Sequence, residues 1–351
     1  MVIQTIYDAP PLRLTVSTQA SAAGVALLEQ TIYGTHGPQY AHMGQAHKVG
    51  RIPGPYFFDL WHGAELVGTY CLSERMVQTP MGPLPGYYGR YLAVKADQQG
   101  HGYGRLLKQQ AVRYIEQPRA GPKVFYSYVE SGNVRSLRIS AAEGFRPLAR
   151  LEALSFGRLY PRADPRVRPL TPVELPALQA LLADAYGGHT LVHLDHVGDD
   201  GHYFGLRENG RLVAGVQASP TRWRIRAVPG LGGWLLLRVL PHLPVLRRLL
   251  NPHDYRFAAL EGLYAAPGHE AALLPLLESV LAHFSFTSAL LMLDERDPLA
   301  DWLRRFGQLG LLQQLKQPVY SQVLAKVSEV TDAQVVGDPA RPVYASSFDY
   351  T

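Results

Sequence analysis

Apolar and polar positions alternate in blocks that occur twice along the chain. "YFFDLWHGAELVGTYCLS" (56–73) is an alternating run, a glycine-bearing turn and a second alternating run, the pattern of two strands joined by a tight connection. "HYFGLRENGRLVAGVQAS" (202–219) repeats it. Aligned without gaps, Phe58 meets Phe204, Leu60 meets Leu206, Leu66–Val67 meets Leu212–Val213 and Ser73 meets Ser219. Upstream of each block an apolar-periodic segment runs into Tyr-Gly-x-His: "ALLEQTIYGTHG" (26–37) and "ALLADAYGGHT" (180–190). The period is far too long for a solenoid, so the chain reads as one duplicated plan.

Each copy opens with a predicted strand (Leu12 to Val16; Val167 to Leu170) and a helix (about Ala20 to Tyr33; Pro172 to Tyr186) before the paired strands. In the first copy a long strand follows (86–96). A helix from Gly102 to Glu116 sets Tyr103, Leu107, Ala111 and Tyr114 on one face and ends at Pro118 and Gly121–Pro122. A strand (123–130), a helix (133–145) and a last strand (150–159) complete the unit. Helices on a mixed, mostly antiparallel sheet make each copy α+β. "YPRADPRVRP" (160–169) reads as the linker. The expected domains are therefore 1–160 and 161–330, with 331–351 as an extended C-terminal tail.

The 351 residues are 47% hydrophobic and 18% charged, with a net charge of +5. No run of five or six Lys/Arg marks a nucleic-acid track, and the mild positive excess suits an anionic small molecule. A single cysteine, Cys71, rules out an internal disulfide. With no signal-peptide pattern at the start, the expected location is cytoplasmic. The most lipophilic stretch (231–250) contains Arg238, Pro241, Pro244, Arg247 and Arg248, which suits a packed helix or pocket lid rather than a membrane span.

Candidate chemistry centres on "DQQGHGYGRLL" (97–107), where Gly100, Gly102 and Gly104 stand at alternate positions between a strand and a helix. Such a turn presents a row of backbone N–H groups at a helix start, and glycine lets anionic oxygens approach them. A P-loop requires Gly-Lys-Ser/Thr and a dinucleotide fingerprint requires G-x-G-x-x-G; neither is present. "YLAVKADQQGHGYGRLL" resembles the acetyl-CoA-binding motif of the GNAT N-acetyltransferase superfamily: Gln99, Gly100, Gly102 and Gly104 fall on its Q/R-x-x-G-x-G/A pattern, with Val94 on the preceding strand. "VESGNVRSLRISAAEGF" is similar to the family's second motif, with Asn133 eleven residues before Gly144–Phe145. The likeness covers about residues 10–160, and the internal repeat extends the fold to the second half, giving tandem GNAT-like domains with a degenerate C-terminal copy.

The resemblance implies that the backbone of Leu92, Ala93 and Val94 holds the pantetheine arm of acetyl-CoA, the cosubstrate. The loop Gln99, Gly100, His101, Gly102, Tyr103, Gly104 and Arg105 would hold the pyrophosphate. Asn133, with Ser136 beside it, would contact the cofactor, and the two strands would splay apart after Val94. The family's usual tyrosine acid, seven residues after the asparagine, is Ser140 here. Tyr126 and Tyr128 share a strand face, and Tyr128 is the candidate to approach the thioester. Glu74 is the candidate base, with Glu130 as runner-up. His36, His42 and His47 lie in the irregular segment expected to wall the acceptor side; their spacing matches no metal site. In the second copy only Gly268 remains, Glu270 occupies the first helical turn, and Asp297 holds roughly the place of Asn133. The implied activity is acetyl transfer from acetyl-CoA to a primary amine of a small molecule or peptide, without metal or nucleic acid. The alternative is a catalytically silent acyl-CoA sensor. Homodimerisation is left open.

Overall fold

A computed structural model describes residues 3–35, 37–117, 120–230, 251–315 and 317–351. The lipophilic stretch 231–250, His36 and Pro118 lie outside the described residues. In chain order the strands are β1 (Ile3–Ala9), β2 (Leu12–Ser17), β3 (Gln39–His42), β4 (Pro55–His62), β5 (Glu65–Thr79), β6 (Gly82–Val94), β7 (Lys123–Glu130), β8 (Arg146–Gly157), β9 (Val167–Pro169), β10 (Tyr203–Glu208), β11 (Arg211–Ala227), β12 (Tyr255–Ala265), β13 (Ser288–Asp294) and β14 (Tyr320–Ser328). The helices that matter most below are α1 (Ala22–Gln30), α2 (Gln45–Val49), α3 (Tyr103–Glu116), α4 (Val134–Ala142) and α5 (Leu175–Ala185).

Two compact units result. Unit 1 holds residues 1–36, 40–148 and 322–338; unit 2 holds 37–39, 149–321 and 339–351. The boundary expected after residue 160 is thus corrected, and the reason is an exchange of strands. Unit 1 has the strand order β1-β2-β4-β5-β6-β7-β14, so its last strand comes from the far end of the sequence. Unit 2 has the order β9-β10-β11-β12-β13-β8, and β8 pairs antiparallel with β13 from Leu151↔Asp294 to Gly157↔Ser288. The exchanged strands bring core residues with them. Leu324 of β14 is buried with Leu14, Phe58, Tyr87 and Phe125 in unit 1, and Leu154 and Phe156 of β8 are buried with Leu260, Leu277 and Leu291 in unit 2.

In unit 1 the duplicated strand pair is β4–β5, antiparallel from Pro55↔Ser73 to His62↔Glu65. β1, unforeseen from the sequence, pairs with β2. Helix α1 starts at Ser21, whose Oγ accepts from the Gly24 N–H (2.9 Å). Along β5 and β6, Cys71 pairs with Arg90 and Thr69 with Ala93, so Tyr91 and Leu92 together face one residue, Tyr70. Tyr91 takes φ +59° at this bulge, which bends the end of β6. The parallel pairing of β6 with β7 covers only Gly86↔Val124, Tyr87↔Phe125 and Tyr88↔Tyr126. Beyond it the two strands part, six residues earlier than the expected point after Val94.

Helix α3 packs the stripe Leu107, Ala111, Val112 and Ile115 against the sheet. Lys108 belongs to the same buried face, only 3% exposed. Its Nζ donates to Ser140 Oγ of α4 (2.6 Å) and lies 3.9 Å from the centre of the Phe145 ring. Loss of hydration holds the ammonium down to about 7, partly offset by the carboxylate of Glu143. Cys71, fully buried on β5, has its thiol pushed up to about 12 by burial, which fits a packed strand residue rather than an acyl carrier.

Unit 2 repeats the parting of parallel strands. β12 and β13 pair only from Ala258↔Ala289 to Leu260↔Leu291. The C-terminal segment fills the place where they separate. Tyr350 Oη sits between the carbonyls of Leu260 (2.9 Å) and Leu290 (3.1 Å), one on each strand, and shares its single proton between them. The Ser347 N–H donates to Glu261 (3.1 Å) and the Val343 N–H to Asp294 (2.8 Å). The expected extended tail is therefore corrected. Its first part is the short helix Asp332–Val336 in unit 1, and its end is the buried turn Ser347–Tyr350 in unit 2.

Tyr350→Phe is expected to destabilise unit 2 by about 1–2 kcal/mol, because the one donor shared by two carbonyls is lost; urea unfolding followed by fluorescence measures it. Lys108→Met is expected to stabilise the protein at pH 7 by about 1–3 kcal/mol. Folded Lys108 titrates near 7 and an unfolded lysine near ~10.4. Between these values only the unfolded chain holds the proton, so wild-type stability rises with pH. The advantage of the methionine variant is therefore full below pH 7 and fades as the pH climbs through that window, which melting curves across pH will record.

Candidate functional site

The end of β6, the loop after it, the start of α3 and the start of α4 converge in unit 1. After Val94 the chain makes a short 3-10 turn (Ala96–Gln98) and then reverses. Gly100 has φ +93° and Gly102 has φ +82°, so both occupy backbone states that a side chain would strain. Gly102 caps α3 with no side-chain acceptor, and no acidic residue lies in the first turn. The first helical bond is Leu106 N–H to Gly102 O (3.0 Å). The N–H groups of Tyr103, Gly104 and Arg105 therefore point out of the helix start, where the dipole favours an anion. Gly104 is helical; an added methyl would make ordinary contact with Ile139 Cδ1 (3.4 Å) and Val94 Cγ2 (3.9 Å). Its position shows how near β6, α3 and α4 approach one another.

Side chains brace this turn. Gln99 Nε2 reaches the Val94 carbonyl (3.4 Å), and Gln99 Oε1 accepts from Arg135 Nη1 of α4 (2.6 Å). His101 stacks on Tyr103 with ring centres 5.6 Å apart, and Arg105 pairs with Glu143 (3.3 Å). Asn133 is the cap of α4, its Oδ1 accepting from the Ser136 N–H (3.1 Å), so the carbonyl end of its side chain already has a structural task. Arg135, which the sequence reading passed over, joins the start of α4 to this turn; its place two positions after Asn133 is the signal that could have found it.

The candidate catalytic residues do not gather at one point. Tyr88, Tyr126 and Tyr128 form an aromatic cluster where β6 and β7 part, with centroid distances of 5.2, 5.1 and 6.3 Å. The guanidinium carbons of Arg75 and Arg90 lie 5.5 and 5.9 Å from the Tyr88 ring centre. Glu74 is elsewhere. It is paired with Tyr87, not Tyr88, and adjacent strand residues face opposite sides of a sheet. Its carboxylate accepts from Tyr56 Oη (2.9 Å) and Tyr87 Oη (3.1 Å), on the side covered by α3. The structure thus separates Glu74 from Tyr128. Glu130 Oε2 accepts from the Thr35 N–H (2.8 Å), tying down the loop after α1. Ser140 is buried on α4, on the α3 side, in contact with Lys108. His42 packs edge-on to Tyr33 (4.6 Å), and burial lowers its pKa well below the usual imidazole value. His47 lies in α2.

Unit 2 differs at the matching turn. Glu270 Oε1 accepts from the Gly268 N–H (3.2 Å), so a carboxylate of the chain itself occupies the amide turn. Asp297 caps the helix Pro298–Phe306 through the Leu299 N–H (2.8 Å) and accepts from His189 (3.1 Å). Among the described residues no group of three or more His, Cys, Asp or Glu is placed to hold a metal ion, and no helix is long and apolar enough to cross a membrane.

Residues 26–145 match the model of the acetyltransferase (GNAT) family. No curated protein matches the sequence. Among solved structures, N-myristoyltransferase from Saccharomyces cerevisiae with bound myristoyl-CoA is similar over 98% of this chain and 91% of its own, with TM-score 0.62 and 8% identity. A second structure of that enzyme with myristoyl-CoA covers 94% of this chain and 84% of its own, with TM-score 0.59 and 8% identity. A GCN5-related N-acetyltransferase from Sphaerobacter thermophilus covers 83% and 82%, with TM-score 0.46 and 13% identity. The yeast likenesses are likenesses of fold, and they span both units. The bulged β6 and the amide turn both lie within residues 26–145, so the stretch of this chain that matches the acetyltransferase (GNAT) family is the part of unit 1 that carries the candidate site.

Proposed function

We propose that unit 1 transfers an acetyl group from acetyl-CoA to a primary amine by direct attack, and that unit 2 has no catalytic site of its own. The observation that carries this reading is the unprotected amide row at the start of α3, led by two positive-φ glycines and set beside the end of a strand that has left its neighbour. The N–H groups from Gln99 to Arg105 would hold the pyrophosphate, with Arg135 adding positive charge. The main chain of Leu92, Ala93 and Val94 would pair with the pantetheine arm as a strand would. Asn133 and Ser136 would flank it from the start of α4.

The parting of β6 and β7 gives the thioester a passage through the sheet. Tyr88, Tyr126 and Tyr128 crowd that passage, which favours a two-carbon acyl group over a long chain. Direct attack requires no protein nucleophile; it requires a neutral amine and a polarised carbonyl, and the Val94 N–H would supply the polarisation. Tyr128 is the candidate group facing the acceptor. Glu74, bonded to two tyrosines on the other face, is not proposed as the base. In unit 2, Glu270 would repel a pyrophosphate and Tyr350 occupies the strand opening.

The test is coenzyme A binding by calorimetry, followed by turnover of acetyl-CoA with a panel of small and peptide amines. Gly102→Glu is expected to weaken binding at least about 100-fold, the size of losing ~2.7 kcal/mol, with circular dichroism unchanged, since a Cβ there meets no protein atom within 4 Å and the strain of the positive φ is confined to the exposed turn. Unaltered binding by this variant overturns the cradle. Tight binding without turnover of any amine favours the acyl-CoA sensor, which the absence of a tyrosine at Ser140 would suit.

A further inference from the structure

The far end of β11 carries an arginine ladder that the reading of unit 1 does not use. Along "TRWRIRA" (221–227) the side chains alternate between two faces. Trp223 packs edge-on to the buried Phe257 ring, 4.6 Å between centres. Arg222, Arg224 and Arg226 are exposed and share the other face, about 7 Å apart along the strand. Arg256 of β12 stands directly opposite Arg222 and adds a fourth guanidinium. Deeper in unit 2 the same face is core, with Ala218, Ala258 and Leu260 buried together. A single carboxylate serves the ladder: Asp254 accepts from Arg222 Nε at 2.9 Å and from Arg256 Nη2 at 2.6 Å. Among the described residues Arg224 and Arg226 have no ionic partner. Four guanidiniums against one carboxylate leave a strongly positive face. Like charges placed opposite one another on neighbouring strands repel, and a face that is merely solvated mixes both signs. One sign alone fits an anionic partner.

The sequence beside the ladder favours one kind of anion. The chain leaves the described residues after Gly230, four positions beyond Arg226, and re-enters them at Asn251, five before Arg256. The stretch between, 231–250, has nine leucines, Trp234, three arginines and no acidic residue. A nucleic acid offers phosphates but nothing for such a run of leucines. A bilayer surface offers both, anionic headgroups outside and hydrocarbon beneath. We propose that Arg222, Arg224, Arg226 and Arg256 dock unit 2 on the surface of a membrane that contains anionic phospholipids. The guanidiniums hydrogen-bond the lipid phosphates, for which their planar fork is suited. The contact is peripheral, the docking surface is the strand face alone, and the proposal is independent of the acyl-CoA reading of unit 1.

The experiment is co-sedimentation of the whole protein with sucrose-loaded vesicles, either phosphatidylcholine alone or an equal mixture of phosphatidylcholine and phosphatidylglycerol. The wild type is expected to partition onto the mixed vesicles and far less onto phosphatidylcholine, with binding that falls as salt screens the charges. Arg224→Gln combined with Arg226→Gln is expected to weaken the partition about 25-fold, about fivefold for each charge lost near an anionic surface. Both side chains are exposed, so circular dichroism should be unchanged. Arg13→Gln combined with Arg113→Gln removes the same charge from exposed positions of unit 1 and is expected to leave the partition as it was. A wild type that stays in solution with the mixed vesicles overturns the proposal. So does an unaltered partition in the Arg224 and Arg226 variant, or an equal loss in the unit 1 control, which would reduce the effect to net charge. Tighter binding to a single-stranded oligonucleotide than to the mixed vesicles, lost in the ladder variant, overturns the lipid partner in favour of a nucleic acid.

Discussion

Two parallel strands that pair for three residues and then separate create the constraint on which both units depend. Backbone groups that leave a ladder need new partners. Unit 2 meets this need with its own chain: Tyr350 bridges a carbonyl from each parting strand, and Ser347 and Val343 donate to the carboxylates of Glu261 and Asp294. Unit 1 reaches the same topology through β6 and β7, with the bulge at Tyr91–Leu92 turning the end of β6 away. On the proposed reading the partner there is the pantetheine arm. The turns before the following helices differ in the same sense, since Glu270 closes one while no acidic residue enters the other. A duplicated scaffold thus carries the same opening twice; side-chain chemistry closes one copy and, on the proposed reading, leaves the other to a ligand.

Hydrophobic alternation revealed the strands themselves and left their neighbours hidden. The pattern of "RLEALSFGRL" fixes which residues of β8 are buried, and Leu154 and Phe156 are indeed in a core. It says nothing about which sheet supplies that core, because period-two patterning specifies a face and not a partner. The exchange of β8 and β14 was therefore invisible, and the domain boundary drawn at the Pro/Arg-rich stretch followed chain order instead of pairing. β1 escaped notice for a related reason: Ile3, Gln4 and Thr5 are exposed, so the strand has little apolar signal.

The candidate site was legible in proportion to how far backbone chemistry defines it. Positive φ at Gly100 and Gly102 is a demand that only glycine meets cheaply, so the loop could be read directly from letters. Roles that depend on where a side chain points were less accessible. Glu74 sits at a plausible place along β5, yet one position decides the face, and its carboxylate lies between Tyr56 and Tyr87 on the α3 side. Asn133 was read as a ligand contact, whereas its carbonyl oxygen closes the first turn of α4. Lys108 carried a signal that went unused: a charged residue in the stripe Leu107, Ala111 and Ile115 is out of place unless something holds it.

The sheet itself divides the chemistry of unit 1. Tyr87, Phe125 and Glu74 belong to the side packed by α3, and Tyr88, Tyr126 and Tyr128 to the other, because neighbouring residues on a strand cannot share a face. The amide turn, Arg135, Ser140 and Lys108 gather where α3 and α4 begin or meet. On the proposed reading a phosphate-bearing cosubstrate would lie on that side, while the aromatic cluster with Arg75 and Arg90 faces away from it. A reaction joining the two must cross the sheet, and the gap between β6 and β7 beyond Tyr88 and Tyr126 is where backbone pairing permits it. The pantetheine arm would then approach from the α3–α4 side and the acyl carbon would lie toward the tyrosines, so cosubstrate and amine would reach the gap from opposite faces without competing for space.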